Sequence, residues 1–155
     1  GEGFRHIESC LPQILLCLSA EALGIMEVLN KLTVEYSKTR KQFGAPIGSF
    51  QALQHRMVDN FMAFEQSKSM VYRGICESTS FNKNDIDINQ FLKTAHAVKA
   101  LIAKNSKQIG DESIQIHGGI GMTDELNIGH FVKRLMMINV LFGDGDFHRQ
   151  CFSQN

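Results

Sequence analysis

The residues of this chain best suited to chemistry lie in two short stretches. The first, Gln115-Ile-His-Gly-Gly-Ile-Gly-Met-Thr-Asp-Glu125, places three glycines within four residues between two helical patterns. Glycine reaches positive φ and lets other groups come close to the backbone. Such a run makes a tight turn whose N–H groups can cradle an anionic or polar ligand; it can equally be a helix C-cap followed by an interhelical turn. The second stretch is Lys38-Thr-Arg-Lys-Gln-Phe-Gly44. Lys38, Arg40 and Lys41 there complement the dipole at the end of a helix. Arg40 also has the fork geometry that recognises phosphate, Phe43 offers an apolar plate, and Gln42 a hydrogen-bonding pair. Together with Gln115 and the glycine turn, these suggest a site for a phosphorylated, partly aromatic cofactor.

Other chemistries are poorly represented. A di-iron bundle needs Glu-x-x-His on two helices, and none of His55, His96, His117, His130 and His148 has a Glu three residues before it. There is no His-Glu-x-x-His, so no metal site is expected. No Gly-x-Ser-x-Gly is present, and Cys10, Cys17, Cys76 and Cys151 sit in apolar helical contexts that raise rather than lower a thiol pKa. They form no Cys-x-x-Cys pair; Cys10 and Cys17, seven apart on one helix face, read as buried small hydrophobes. Sixteen basic residues balance sixteen acidic ones, so no global field recruits nucleic acid or an anionic membrane. No apolar run is expected to span a membrane, no signal peptide opens the chain, and a cytoplasmic setting follows by default. The opening Gly1-Glu-Gly-Phe4 lacks an initiator Met and reads as the edge of a longer protein.

The elements that must position these stretches are long helices. A length of 155 residues with 43% hydrophobic and 21% charged residues is ordinary for one globular domain, residues 1–155. Two prolines in the whole chain favour helices over a turn-rich β fold. Leu15, Leu18, Ala22, Ile25, Leu29, Leu32 and Tyr36 recur at spacings of three and four, predicting a helix over 9–39, roughly 45 Å long, with Pro12 in its first turn. A loop over 40–49 follows, with Ser49 as N-cap of a second helix whose face is Leu53, Met57, Phe61, Phe64, Val71 and Ile75. The polar stretch 78–85 reads as a loop. Asp87 and Gln90 form a capping-box pattern before a third helix with Phe91, Ala95, Val98, Ile102, Ile109 and Ile116 on its face. After the glycine turn, Thr123 or Asp124 caps a fourth helix with the stripe Ile128, Phe131, Leu135, Ile138 and Phe142. Gly143-Asp-Gly145 interrupts it, and a short helix spans 146–154. The expected fold is all-α: an up-down four-helix bundle with a short extra C-terminal helix.

Two motifs carry a resemblance. Tyr36-Ser-Lys-Thr-Arg-Lys-Gln-Phe-Gly-Ala-Pro-Ile-Gly-Ser-Phe-Gln51 resembles the Tyr…Arg-x-x-Phe-Gly…Gln segment of the acyl-CoA dehydrogenase family, and Gln115-Ile-His-Gly-Gly-Ile-Gly-Met-Thr its Gln-x-x-Gly-Gly-x-Gly turn. Both belong to that family's C-terminal helical domain, and the resemblance covers essentially the whole chain. Lys-Thr-Arg-Lys-Gln-Phe-Gly, Phe-Gln-Ala-Leu-Gln-His-Arg and Leu-Phe-Gly-Asp most resemble the subgroup typified by the small subunit of pimeloyl-CoA dehydrogenase. The resemblance implies an FAD-dependent enzyme that removes two hydrogens from Cα and Cβ of an acyl-CoA thioester. In such enzymes a carboxylate takes the α-proton, the flavin accepts a hydride, and an electron-acceptor flavoprotein reoxidises it. It further implies a tetramer or other homo- or hetero-oligomer assembled through this domain, with the N-terminal helical and middle β-domains lying outside this chain. By the same resemblance Arg40 binds the FAD pyrophosphate of a neighbouring subunit, flanked by Gln42 and Phe43. Gln51 hydrogen-bonds the cofactor, and Gln115, Ile116, His117, Gly118 and Gly119 meet its adenosine side.

The departures concern the proton-abstracting half. Many members carry their base in Tyr-Glu-Gly-Thr after the fourth helix, where this chain has Phe142-Gly-Asp-Gly145. Asp144 is the acid there, either as the catalytic base or as the cap of the next helix. Members that carry the base on the first helix have it where Ile14 stands, and Pro12 and Leu15 replace an Asp-x-x-Arg pair that seats substrate. The pattern fits a subunit that completes a partner's flavin site, or a non-catalytic assembly subunit of a heteromeric dehydrogenase, and the isolated chain is expected to be inactive.

Overall fold

A computed structural model of the chain describes residues 2–83 and 85–154. The described residues form five α-helices: α1 (Glu2–Thr39), α2 (Gln51–Asn82), α3 (Ile88–His117), α4 (Ile128–Val140) and α5 (Gly145–Gln154). The first four form the expected bundle. Hydrogen bonds between residues equidistant from each turn make consecutive helices antiparallel. Asn30 bonds the Asn60 carbonyl, Asn105 bonds the Ala63 carbonyl and the Ser67 hydroxyl, and Asn139 bonds the Ala103 carbonyl.

The core is a continuous apolar cluster through Met26, Leu29, Phe64, Val71, Val98, Ile102, Ile109, Leu135 and Ile138. Each residue of the expected α3 face is buried, and α3 packs against all four other helices. The α1 seam is turned slightly from its expected line. Leu15, Ser19, Ala22, Met26, Leu29, Thr33 and Ser37 are buried, whereas Leu32 is exposed. Small polar residues fit the seam because their hydroxyls bond back to the helix: Ser19 Oγ donates to the Leu15 carbonyl and Ser37 Oγ to that of Val34, both at 2.7 Å. Phe61 and Ile75 likewise face outward from α2, since Asn60, Ala63, Ser67 and Gly74 take the inward positions. Cys10 and Cys17 share a face as expected, but it is the exposed one; Cys76 is exposed too.

Several boundaries differ from expectation for local reasons. Helix α1 begins upstream, so Pro12 lies inside it, depriving the Glu8 carbonyl of an N–H partner. Its span His6–Thr39 contains an 18-residue window long and apolar enough to cross a membrane, contrary to the sequence expectation. Those apolar side chains supply the bundle core, where Leu15, Ala22, Met26 and Leu29 are fully enclosed. Ser49 is not the cap of α2: it ends a 3-10 turn over Ile47–Ser49 and bonds the Pro46 carbonyl, while extended Phe50 precedes the helix. The stretch 78–82, expected as loop, continues α2 because Phe81 packs on Phe91 with ring centroids 5.5 Å apart; Asn84 of that stretch lies outside the described residues. Asp87 does cap α3, accepting from the Gln90 N–H at 2.8 Å. Neither Thr123 nor Asp124 caps α4, which starts after Asn127 where Ile128 turns into the core.

Truncating a core side chain on α3 tests the central position of that helix. Ile102 is fully enclosed. The Ile102→Ala change should cost about 2–5 kcal/mol, read from the urea midpoint; a cost within ~0.5 kcal/mol would mean that this stretch of α3 is not enclosed.

Candidate functional site

The loop after α1 is a small hairpin. Lys41 pairs with Pro46 and Gln42 with Ala45, leaving Phe43 and Gly44 as the two tip residues. Both have positive φ, 55° and 78°, as tight two-residue hairpins require. For Phe43 this is a strained conformation, and its side chain is 94% exposed, contacting Phe50 edge-on at 6.2 Å. A large aromatic on a strained, exposed tip is positioned to pack against something outside the chain.

The glycine turn is brought to this hairpin by one aromatic clamp. Tyr36 in the last turns of α1 stacks on His117 at 4.3 Å, and its hydroxyl bonds the His117 carbonyl at 3.3 Å. His117 Nδ1 donates to the Ser113 carbonyl at 2.7 Å, which fixes the ring against α3. Gly118 has φ 65° and ψ −143°, a conformation that glycine alone adopts readily. Its N–H bonds the Ile114 carbonyl as a helix C-cap, so the turn does not offer that amide to a ligand.

Around the clamp lies a hollow of about 360 Å³. Arg40, Gln42 and Phe43 form one wall; Gln115, Ile116, His117, Gly118 and Gly119 form another. The two sequence motifs therefore meet. Gln51 does not line the hollow: it is the exposed first residue of α2. Five lining residues were not among the expected cofactor contacts: Ile47, Phe50, Leu53, Arg56 and Tyr36 of the clamp. The first three show no chemical type beyond an apolar wall. Arg56 lies one to two turns into α2 and pairs through Nε with Glu112 Oε2 of α3 at 2.5 Å; Glu112 holds its pKa above the ordinary guanidinium value. Its sequence signals are a charge next to a mostly apolar face and its place at the end of the Phe-Gln-Ala-Leu-Gln-His-Arg segment, neither of which names a role for it. Arg40 has no side-chain bond or ion pair among the described residues and remains a free, exposed cation.

Asp144 lies elsewhere. Its Oδ1 accepts from the Phe147 N–H at 2.8 Å, capping α5. It edges a different hollow of about 630 Å³ that also takes in Lys104, Lys107 and Arg149. A Cβ on Gly145 would meet Ala103, so this turn packs on α3 twelve residues before Gln115, roughly 18 Å along the helix. The turn is tightly made. Phe142 and Gly143 have φ of 60° and 110°, and a Cβ on Gly143 would come within 2.5 Å of the Phe147 ring and 3.1 Å of His148 Nε2. Beneath it, His148 and His96 share an Nδ1···Nδ1 bond of 2.8 Å, which requires one ring to donate and the other to accept. Lys99, fully enclosed, bonds the Ile138 carbonyl at 2.5 Å in the last turn of α4, where a cation complements the helix dipole. Burial pushes Lys99 down to about 8, partly offset by the Asp144 carboxylate. Burial, then the nearby His96 and Lys99, push His148 down to about 4, and burial lowers His96 as well.

Comparison with known proteins accords with this architecture. The family model for the acyl-CoA dehydrogenase C-terminal domain matches residues 1–155. Acyl-CoA dehydrogenase IpdE2 of Mycolicibacterium smegmatis is 40% identical over 119 residues, 77% of this chain and 34% of that protein. The solved structure of butyryl-CoA dehydrogenase from Megasphaera elsdenii superposes with a TM-score of 0.88 at 25% identity, over 99% of this chain and 38% of that one. PigA with FAD and proline superposes with a TM-score of 0.81 at 28% identity, over 92% of this chain and 36% of that one. The chain belongs to the acyl-CoA dehydrogenase family and corresponds to its C-terminal domain. It spans about a third of the length of the relatives it matches.

The buried histidine pair sets a pH dependence of stability. Between about 4 and 6.5 the unfolded chain takes a proton at His148 that the folded chain refuses, so stability falls as the pH drops through that window. The urea midpoint should therefore decline from pH 6.5 towards 4, and the double variant His96→Gln, His148→Gln should flatten that decline. An equally steep decline in the variant would assign the acid sensitivity to other groups.

Proposed function

We propose that this chain is the flavin-completing and assembly-forming domain of an FAD-dependent acyl-CoA dehydrogenase. The observation that carries the reading is the convergence of Arg40, Gln42 and Phe43 with Gln115–Gly119 on one hollow. An unpaired guanidinium suits a pyrophosphate, and the hollow's apolar walls suit the flat rings of a dinucleotide. The residues present therefore fit FAD: Arg40 holds the phosphates, Phe43 and Gln42 flank them, and Gln115 with the turn after it meets the nucleoside; Gln51 contacts the cofactor only from the edge of the site. Bound there, FAD supplies the oxidant for α,β-dehydrogenation of an acyl-CoA thioester. The hollow is open and Phe43 points away from its own bundle, which favours a cofactor shared with a second chain. Val58, Phe61 and Met62 on α2 add an exposed apolar surface for that assembly, a tetramer in our reading. A flavoprotein electron acceptor and a cytoplasmic setting, within fatty acid or related acyl-CoA metabolism, complete the proposal. The chain alone would show no turnover with FAD, an acyl-CoA and an acceptor.

A second reading, a purely structural assembly subunit, is separated from the first by Arg40→Met in the intact protein. Loss of most bound flavin with the oligomer unchanged, read by flavin absorbance and sedimentation, is the expected result. Retained flavin with a dissociated oligomer would favour the structural subunit.

We assign Asp144 to the α5 cap and proton abstraction to a partner chain, because the Asp144 carboxylate is already engaged by the Phe147 N–H. Asparagine caps helices as well as aspartate does. Asp144→Asn should therefore leave turnover of the intact enzyme within about threefold, whereas a base within this chain would lose on the order of a hundredfold or more.

A further inference from the structure

The hollow contains two guanidinium groups in different electrostatic states. Arg40 is exposed and has no side-chain partner among the described residues. Arg56, half-buried on α2, is held from α3 by Glu112 through its Nε. That pairing neutralises Arg56 locally, and the Glu112 carboxylate repels any phosphate brought to the same spot. The terminal N–H groups of Arg56 bond nothing among the described residues, and the side chain is 37% exposed. A fixed, flat guanidinium stacks on aromatic rings and donates to ring nitrogens. Leu53, within a turn of Arg56 on α2, and extended Phe50 just before that helix continue an apolar wall from Arg56 towards the hairpin that carries Arg40.

We propose that Arg56, anchored by Glu112, is a base-reading residue: it stacks on the purine of the nucleotide whose phosphates Arg40 binds. The proposal rests on the cradle reading and adds to it an orientation, with phosphates at the hairpin and the purine against α2. It also assigns the Arg56–Glu112 pair a role in recognition beyond tying α2 to α3. The pair is only partly exposed, 37% at Arg56 and 27% at Glu112, and such a pair contributes modestly to stability, so substitutions at Arg56 are compatible with folding.

The test uses the intact protein stripped of flavin, with ADP and inorganic pyrophosphate as calorimetric probes. Arg56→Met should weaken ADP roughly tenfold and leave pyrophosphate within about twofold, whereas Arg40→Met weakens both. Arg56→Lys keeps an ion pair with Glu112 but has no planar face, and should bind ADP as poorly as Arg56→Met. Recovery of ADP binding in Arg56→Lys, or unchanged ADP binding in Arg56→Met, would reduce the pair to an interhelical tie and overturn the inference. A parallel loss of pyrophosphate in Arg56→Met would make Arg56 a phosphate ligand and overturn it as well. If the unaltered protein binds neither probe, the cradle reading falls and this inference with it. If only Arg40→Met affects binding, the cradle stands and the role of Arg56 alone is lost.

Discussion

Helix α3 carries more buried polar side chains than any other described element, from Thr94 and His96 to Ser113 and His117. Water cannot reach most of them, so their partners must come from the helices packed around it. Asn105 finds two on α2, Ser106 finds Asn139 on α4, Lys99 finds the end of α4, and His96 finds His148 on α5. These bonds are directional where apolar contacts are not, and they set the register of each neighbour against the central helix. The buried atoms left without partners, such as Thr33 Oγ1, Asn60 Oδ1 and Ser113 Oγ, are few beside the number that are paired.

Both candidate sites are consequences of how α3 is enclosed. Near its C-terminal end, Tyr36 stacks on His117 and brings the hairpin after α1 to the glycine turn. About 18 Å back along α3, the 142–145 turn is packed down over His96, Lys99 and His148. The hollow beside Arg40 and the Asp144 carboxylate therefore lie at two separate places along α3. A chain with the proposed cofactor cradle at one place on α3, and an acid used as a helix cap at the other, suits the proposed shared site. The use of Asp144 as a cap underlies the proposed assignment of proton abstraction to a partner.

Much of this was legible in local sequence. The spacing of apolar residues placed the first four helices, the Gly143-Asp-Gly145 break placed the short last one, and every residue of the expected α3 face is buried. The motifs at 38–44 and 115–119 were recognisable because arginine and glycine have chemical and conformational properties that few other residues share. The misses have identifiable causes. Ser49, Thr123 and Asp124 are good capping residues by type, but helix starts were fixed by where Phe50 turns extended and where Ile128 enters the core. The polar stretch 78–82 stayed helical because Phe81 had a ring to meet.

The sequence by itself determined which segments are helical, the approximate line of each apolar stripe, and which residue types stand at the two turns. These depend on local backbone preferences and on a 3.6-residue period, both carried by neighbours in the chain. Only the tertiary structure decided which way each stripe rotates, so that Cys17 and Phe61 face out while Ser19 and Asn60 face in. It alone brought Arg40 to Gln115 and Arg56 to Glu112. Those encounters depend on how separate helices pack, and a partner fifty-six residues away leaves no local trace in the sequence around Arg56.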